Sequence, residues 1–268
     1  MSASFTFKRI TGVDYLHRLS RTHGWPYIHS WAHRVSGVLL TLYVCLHIIT
    51  LSSLKDPELF DNKMRFFASV IPGFFEWLLA FPVIYHCLNG GRLLLYEIFG
   101  NRKDQAVLGW VFIISLAYIV LLGFFMALGN QNVSAILFWV YMVVVSLFIT
   151  YLTVRKIKQS DASFAWKLQR ISGAFLFVMI PAHMLYMHLD PFSGRDAQVI
   201  IARMSNGFIK LVDISLVCSV MYHSGYGIVA ICRDYLSSYR LQLICRFSIS
   251  VIMIVFAWLG LKLIFTIG

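Results

Sequence analysis

The sequence predicts an all-α membrane protein, a polytopic bundle of about seven transmembrane helices with a parallel internal repeat. Three observations lead to this fold class. Hydrophobic residues make up 59% of the 268 residues and charged residues only 13%, whereas a water-soluble domain carries about 25% charge. Several apolar runs reach the roughly 20 residues that a helix needs to cross a bilayer. The second half of the chain also repeats motifs of the first half.

Each apolar run is interpreted as a helix, because a chain in lipid must satisfy its backbone hydrogen bonds internally. The predicted spans are 31–53, 73–98, 107–129, 134–155, 170–189, 208–232 and 244–266. Residues 1–30 form a polar, basic segment ahead of the first span, and residues 31–268 form the bundle.

Lysine and arginine are concentrated in alternate connections between the spans. They gather before the first span and in the second-to-third, fourth-to-fifth and sixth-to-seventh connections. The positive-inside rule places these segments in the cytoplasm, together with the N-terminus. The net charge of +11 therefore indicates a membrane surface rather than a nucleic acid as the partner.

Two short motifs recur at a nearly constant offset along the chain. "WAHRVSG" at 31–37 is answered by "WKLQRISG" at 166–173, and "YHCLNG" at 85–90 by "YHSGYG" at 222–227. The offset is the same to within one position for all matched residues, which are Arg34 and Arg170, Ser36 and Ser172, Gly37 and Gly173, His47 and His183, and His86 and His223.

The repeat divides the bundle into two units that point the same way. Repeat one covers 31–129, a connecting helix covers 134–155, and repeat two covers 166–268. Four spans separate the two repeat starts, and an even number returns the chain to the same face. We therefore expect a pseudo-two-fold axis along the membrane normal.

Four of the repeated residues are histidines inside predicted spans: His47, His86, His183 and His223. Ionisable residues within a membrane are costly and point to function. Imidazole is a common ligand of haem iron, and helix bundles hold such ligands on facing helices. A zinc site would require further ligands around the same ion. The pattern favours two haems, each clamped between two histidines.

Depth in the membrane predicts how the histidines pair. At about 1.5 Å per helical residue, His47 and His183 lie roughly 20 Å from the inner interface, His86 roughly 9 Å and His223 roughly 15 Å. His86 should therefore pair with His223, and His47 with His183 further out. The inner interface is marked by Arg34, Arg92, Arg170 and Arg233.

The motifs resemble the cytochrome b membrane anchor of succinate dehydrogenase and fumarate reductase, in its single-chain, two-haem type with extra helices. The matching stretches are "SWAHRVSG", "YHCLNGGRLLLYE", "LQRISGAFLFVMIPAH" and "MYHSGYGIVAICRDY". The resemblance implies two haem b groups and a quinone, with menaquinone the type that two-haem members often use. It also implies an iron–sulfur subunit, an FAD flavoprotein subunit and a bacterial inner membrane.

The resemblance also assigns residues to the cofactor sites. Ser30, His33, Arg34 and Ser36 match a motif that contacts quinone and haem propionates in family members. The predicted set is completed by Arg92, Arg170 and, eleven and twelve residues after His223, Asp234 and Tyr235. The spans 107–129 and 134–155 are additional to the five typical of such anchors, and we interpret them as packing or lipid-facing helices.

The chain lacks a dinucleotide-binding fingerprint and a cysteine cluster, so it cannot oxidise succinate by itself. Two other functions remain open at this point. One is the cytochrome b of another respiratory enzyme, such as a hydrogenase. The other is a transporter that uses its histidines for a proton or metal path, to which Glu76 and Asp213 would also contribute.

Overall fold

The computed structural model describes residues 24–100, isolated positions between 107 and 120, residues 135–188 and residues 193–267. All regular elements in these residues are helical. Two 3-10 turns, Ser52–Lys55 and Ser193–Arg195, accompany α-helices that we number in chain order: α1 Trp25–Leu51, α2 Pro57–Phe67, α3 Val70–Glu97, α4 Ala135–Ile157, α5 Phe164–His188, α6 Ala197–Met204, α7 Gly207–Tyr235 and α8 Tyr239–Ile267.

The predicted membrane bundle is confirmed. Within the described residues, five helices are long and apolar enough to cross a membrane, and they correspond to α1, α3, α4, α7 and α8. Helix α5, which contains most of the predicted span 170–189, is 25 residues long but is not among these five, and it carries several polar side chains. The predicted span 107–129 lies mostly outside the described residues, although the isolated positions described between 107 and 120 are helical.

Two short helices occupy connections that the sequence analysis did not resolve into elements. Asp56 caps α2 by accepting a hydrogen bond from the Leu59 backbone N–H at 3.1 Å, and Asp196 caps α6 in the same way from Val199 at 3.0 Å. Such N-caps satisfy N–H groups that have no partner within the helix. Asp61 of α2 also accepts from the backbone N–H of Ala197 at 3.0 Å, which joins the two helices.

The helix order repeats as the motifs do. Helices α1, α2 and α3 are long, short and long, and α5, α6 and α7 follow the same order. The residues that precede α3 and α7, Ser69 and Asn206, are separated by the same offset as His86 and His223 within these helices. Helix α1 packs on α3 and α5 on α7, while contacts between α1 and α7 and between α3 and α5 join the two repeats.

Helix α4 packs along α5 and exposes its other face. The Ser146 hydroxyl donates to the Phe175 carbonyl at 3.0 Å, and Trp139 is buried in a cluster with Met179 of α5. The opposite face exposes a row of large apolar side chains: Val140, Tyr141, Val144, Leu147 and Phe148. One helix therefore combines packing against the bundle with an apolar outer surface suited to lipid.

Candidate cofactor-binding site

The structure brings His86 and His223 together near one end of the bundle. His86 lies on α3 and His223 on α7. Their ring centres are 6.3 Å apart and the ring planes are nearly perpendicular, at 88°. This is the pair that the sequence analysis placed nearer the cytoplasm, and we call it the inner pair.

The structure also brings His47 of α1 and His183 of α5 together. Their ring centres are 6.4 Å apart, with an interplanar angle of 89°. Tyr43 stacks beside His47 at 5.7 Å, and the Trp139 ring lies 6.5 Å from His183. We call this the outer pair, and its geometry closely repeats that of the inner pair.

The separation of the rings in each pair fits a single shared metal ion. An imidazole nitrogen lies about 2 Å from a bound first-row metal ion and about 1 Å from its own ring centre, so two rings on opposite sides of one ion have centres about 6 Å apart. Both pairs have this spacing. In the described part of the chain, no group of three or more His, Cys, Asp or Glu side chains is arranged to hold a metal. Two imidazoles alone suit an iron whose other four ligands come from a macrocycle.

Hydrogen bonds to the inner pair assign the proton on His86. The Nδ1 atom of His86 lies 3.1 Å from the His33 carbonyl oxygen, which can only accept. Nδ1 also lies 3.2 Å from the Ser36 hydroxyl oxygen, whose own hydrogen is donated to the same carbonyl at 2.9 Å. The hydrogen therefore sits on Nδ1, which leaves the Nε2 lone pair available for a metal.

The second repeat supplies the same support to His223. The Ser172 hydroxyl oxygen lies 3.4 Å from His223 Nδ1 and donates to the Gln169 carbonyl at 3.1 Å. Ser36 and Ser172 are repeat-equivalent, and each directly precedes the glycine of its motif. Each histidine of the inner pair thus has a matching serine on the neighbouring helix.

Glycine is required where α1 meets α3 and where α5 meets α7. A Cβ atom on Gly37 would lie 2.9 Å from His86 Cε1, and one on Gly173 would lie 3.1 Å from His223 Cε1. These distances are shorter than a normal carbon–carbon contact. The glycine in each repeated motif therefore makes room for a histidine of the adjacent helix.

The two repeats differ at His33 and Gln169, which occupy equivalent positions. The His33 ring stacks on the His86 ring with centres 3.9 Å apart and planes 6° apart. Its Nδ1 atom is buried and has no hydrogen-bond partner among the described residues. Gln169 instead places its Nε2 atom 3.5 Å from His223 Nε2. A second imidazole ring is thus stacked on only one of the two histidines of the inner pair.

One cavity of about 660 Å³ connects all four histidines. Its inner mouth includes Ser30, Arg34 and Asp234, and its outer end includes Asp213 and Met204. Ligand cavities in proteins generally have volumes of several hundred cubic ångströms. A continuous space therefore runs past both histidine pairs.

Arg34, Asp234 and Tyr235 meet at the inner mouth. Arg34 Nη2 lies 2.7 Å from an Asp234 carboxylate oxygen, and Arg34 Nη1 donates to the Tyr235 hydroxyl at 3.4 Å. The side chains of Arg34 and Asp234 are 37% and 50% exposed. This cluster joins α1 to the end of α7 and is partly exposed.

Arg170 forms a second ion pair at the same mouth, with Glu97 at the end of α3. Its Nη2 and Nε atoms lie 2.5 and 2.8 Å from the same Glu97 oxygen. The sequence analysis missed Glu97, although the offset that relates His86 to His223 also relates Glu97 to Asp234 and signalled an equivalent position. Arg92, by contrast, is buried, donates to the Asn89 side-chain oxygen at 2.9 Å, and is absent from the residues that line the cavity.

Comparison with known proteins identifies a family. The family model described as "Succinate dehydrogenase/Fumarate reductase transmembrane subunit" matches the chain twice, over residues 16–149 and 149–261. The succinate dehydrogenase 2 membrane subunit SdhC of Mycobacterium tuberculosis (strain ATCC 25618 / H37Rv) is 26% identical over 91 residues, which cover 33% of this chain and 67% of that subunit. No solved structure matches the chain.

Proposed function

Because the chain belongs to the succinate dehydrogenase/fumarate reductase transmembrane subunit family, we propose that it is a two-haem membrane anchor that passes electrons between an iron–sulfur subunit and quinone. One observation carries the proposal: two repeat-related histidine pairs stand at ring separations of 6.3 and 6.4 Å around a common cavity. The double match of the family model agrees with two cofactor-binding repeats in one chain.

The four histidines would hold two haem b groups, the inner one between His86 and His223 and the outer one between His47 and His183. Haem b, when bound, supplies a one-electron carrier at each level of the bundle. The protein orients the inner ligands through Ser36 and Ser172, and it brings the helices close enough through glycine.

Quinone would bind at the inner mouth of the cavity. The Tyr235 hydroxyl and the Ser30 hydroxyl can donate hydrogen bonds to quinone carbonyl oxygens. Arg34 can stabilise the negative charge that develops on these oxygens during reduction, and Asp234 keeps the guanidinium in place. His33, which the same motif contributes, stacks on His86.

The chain would act within a larger complex. The basic N-terminal segment and the basic connections on the cytoplasmic side would form part of the surface that docks the iron–sulfur subunit. That subunit in turn carries the FAD flavoprotein. The N-terminus would face the cytoplasm of a bacterium, and the bundle would lie in its inner membrane. Succinate and fumarate chemistry would belong to the flavoprotein, and quinone chemistry to this anchor.

The proposal is tested by purifying the complex from detergent-solubilised membranes. We expect an iron–sulfur subunit and a flavoprotein to copurify, and succinate to reduce a quinone analogue or quinol to reduce fumarate. Tyr235→Phe should lower kcat/KM for quinone about tenfold, since about 1.4 kcal/mol of hydrogen bonding is lost. Tyr239→Phe is a matched control on an exposed side chain. Copurification of a hydrogenase, or of no redox subunit, would contradict the proposal.

A further inference from the structure

Two arginine–carboxylate bridges stand at the inner mouth, and the repeat relates them. Arg34 and Arg170 occupy equivalent positions of the two repeats, and so do Glu97 and Asp234. Arg34 of α1 binds Asp234 of α7, and Arg170 of α5 binds Glu97 of α3. Each bridge therefore ties the first helix of one repeat to the second long helix of the other repeat.

The two bridges differ in exposure and in how many guanidinium nitrogens reach the carboxylate. In the Arg34–Asp234 bridge the side chains are 37% and 50% exposed. In the Arg170–Glu97 bridge they are 24% and 31% exposed, and two guanidinium nitrogens reach one Glu97 oxygen. The Arg170 guanidinium also lies over the Trp166 ring at 4.9 Å. Two guanidinium nitrogens on the carboxylate fix Arg170 more firmly on its partner than the one nitrogen that Arg34 places on Asp234, since the other contacts of Arg34 are to the Tyr235 hydroxyl and ring.

The residues beside the two bridges differ in the same sense. Tyr235 follows Asp234 and offers a hydroxyl to a ligand. The equivalent position after Glu97 is Ile98, which has no side-chain donor or acceptor. The Arg170–Glu97 side therefore combines a tighter ion pair with an apolar neighbour, whereas the Arg34–Asp234 side combines a looser ion pair with a hydroxyl.

We propose that Glu97 is a positioning residue that holds Arg170 in a closed bridge, so that quinone enters only on the Arg34–Asp234 side of the inner mouth. This inference rests on the proposed function. Arg170 lies on the same stretch of α5 as Gln169, Ser172 and Gly173, which all contact His223. The closed bridge therefore also keeps a neutralised arginine beside the inner haem site.

Substitution of either partner should shift the midpoint potential of the inner haem. Glu97→Gln leaves the Arg170 charge uncompensated, which favours the reduced haem and raises its potential. Arg170→Gln removes the positive charge and lowers the potential. The exchange Glu97→Arg with Arg170→Glu restores the pair and should return the potential towards its original value. The measurement is a redox titration of the intact complex by haem absorbance.

Asp234→Asn provides the matched comparison at the repeat-equivalent position. It should raise the quinone KM at least about tenfold, since a charged partner at the site is lost, whereas Glu97→Gln should change this KM less than about twofold. An unshifted inner potential in Glu97→Gln, or an equal loss of quinone affinity in both variants, would overturn the proposal.

Two further measurements keep the test decisive. If Glu97→Gln releases the inner haem, the titration is made on Glu97→Asp, whose shorter side chain should move the potential in the same direction but less. A shift of opposite sign would overturn the proposal. Absence of haem from the unaltered complex would instead overturn the proposed function, so the two failures are distinguishable.

Discussion

Ser36 and Ser172 illustrate how single residues prepare the proposed inner haem site. Each hydroxyl oxygen lies beside the Nδ1 atom of a histidine of the inner pair, at 3.2 and 3.4 Å. Each hydroxyl hydrogen is committed to a carbonyl of its own helix. The oxygen is thus left to accept from Nδ1–H in both repeats. This leaves Nε2 of His86 available, whereas Nε2 of His223 lies 3.5 Å from the Gln169 side-chain nitrogen.

Ser36→Ala and Ser172→Ala should each weaken retention of the inner haem about tenfold, because partners of metal ligands contribute affinity of this order. The measurement is haem loss to an apo-globin acceptor, followed by absorbance. Thr41→Val is the control, since its hydroxyl on the same helix as Ser36 donates to the Gly37 carbonyl rather than supporting a histidine. Equal haem loss in all three variants would contradict the assigned role of the serines.

The sequence predicted which histidines lie beside each other, because the repeat offset matches them in pairs and the helix rise per residue gives their depth in the membrane. It did not predict the Arg170–Glu97 bridge, because that contact depends on how α3 of one repeat packs on α5 of the other. For the same reason, the sequence did not predict that the His33 ring stacks on the His86 ring. The sequence spacing gives the position of a residue along its own helix. Contacts between residues of different helices depend on how those helices pack, which the sequence spacing does not give.

At the scale of elements, close approach of helices depends on glycine. Helix α1 reaches α3 at Gly37, and α5 reaches α7 at Gly173, in each case against a histidine of the inner pair. The same arrangement in both repeats indicates that small residues set the distance between the long helices of each repeat.

Gly37→Ala should displace the His86 ring and abolish most of the inner haem signal, because its Cβ would lie 2.9 Å from His86 Cε1. Gly173→Ala should have a weaker effect at 3.1 Å. Gly207→Ala is the control, since nothing lies within 4 Å of its added Cβ. The reduced-minus-oxidised spectrum checks the three variants. A normal inner haem in Gly37→Ala would show that the helices tolerate a methyl group there.

The long helices could be predicted from hydropathy, but α2 and α6 were overlooked. Their local signals were present: Asp56 followed by Pro57, and Asp196 ahead of an apolar run. These are ordinary signs of a helix N-terminus. At 11 and 8 residues, both helices are too short to stand out in a hydropathy pattern. Their packing against Leu54 and Leu263 also depends on tertiary contacts.

At the scale of the whole molecule, α4 explains how two repeats share one direction. Each repeat is predicted to contain three spans, and an odd number leaves the chain on the opposite face. One further span restores the starting face, and α4 lies between the repeats in that position. Its apolar outer surface and its packing on α5 suit a connecting helix that takes no part in the cavity.

This topology predicts which loops face the cytoplasm. In a variant without the native cysteines, Ser160→Cys between α4 and α5 should resist a membrane-impermeant maleimide applied to intact cells. Ser205→Cys between α6 and α7 should react with it. Both positions should react after the membrane is permeabilised. The reverse pattern in intact cells would contradict the orientation inferred from lysine and arginine.

The central claim is that one chain holds two haems between repeat-related histidine pairs. The direct measurement is the number of b haems per chain, obtained by a pyridine haemochrome assay on purified complex and on two variants. We predict two haems in the unaltered protein and one in each of His47→Ala and His86→Ala, with different haem spectra remaining. A single haem in the unaltered protein, or loss of the same haem in both variants, would contradict the account.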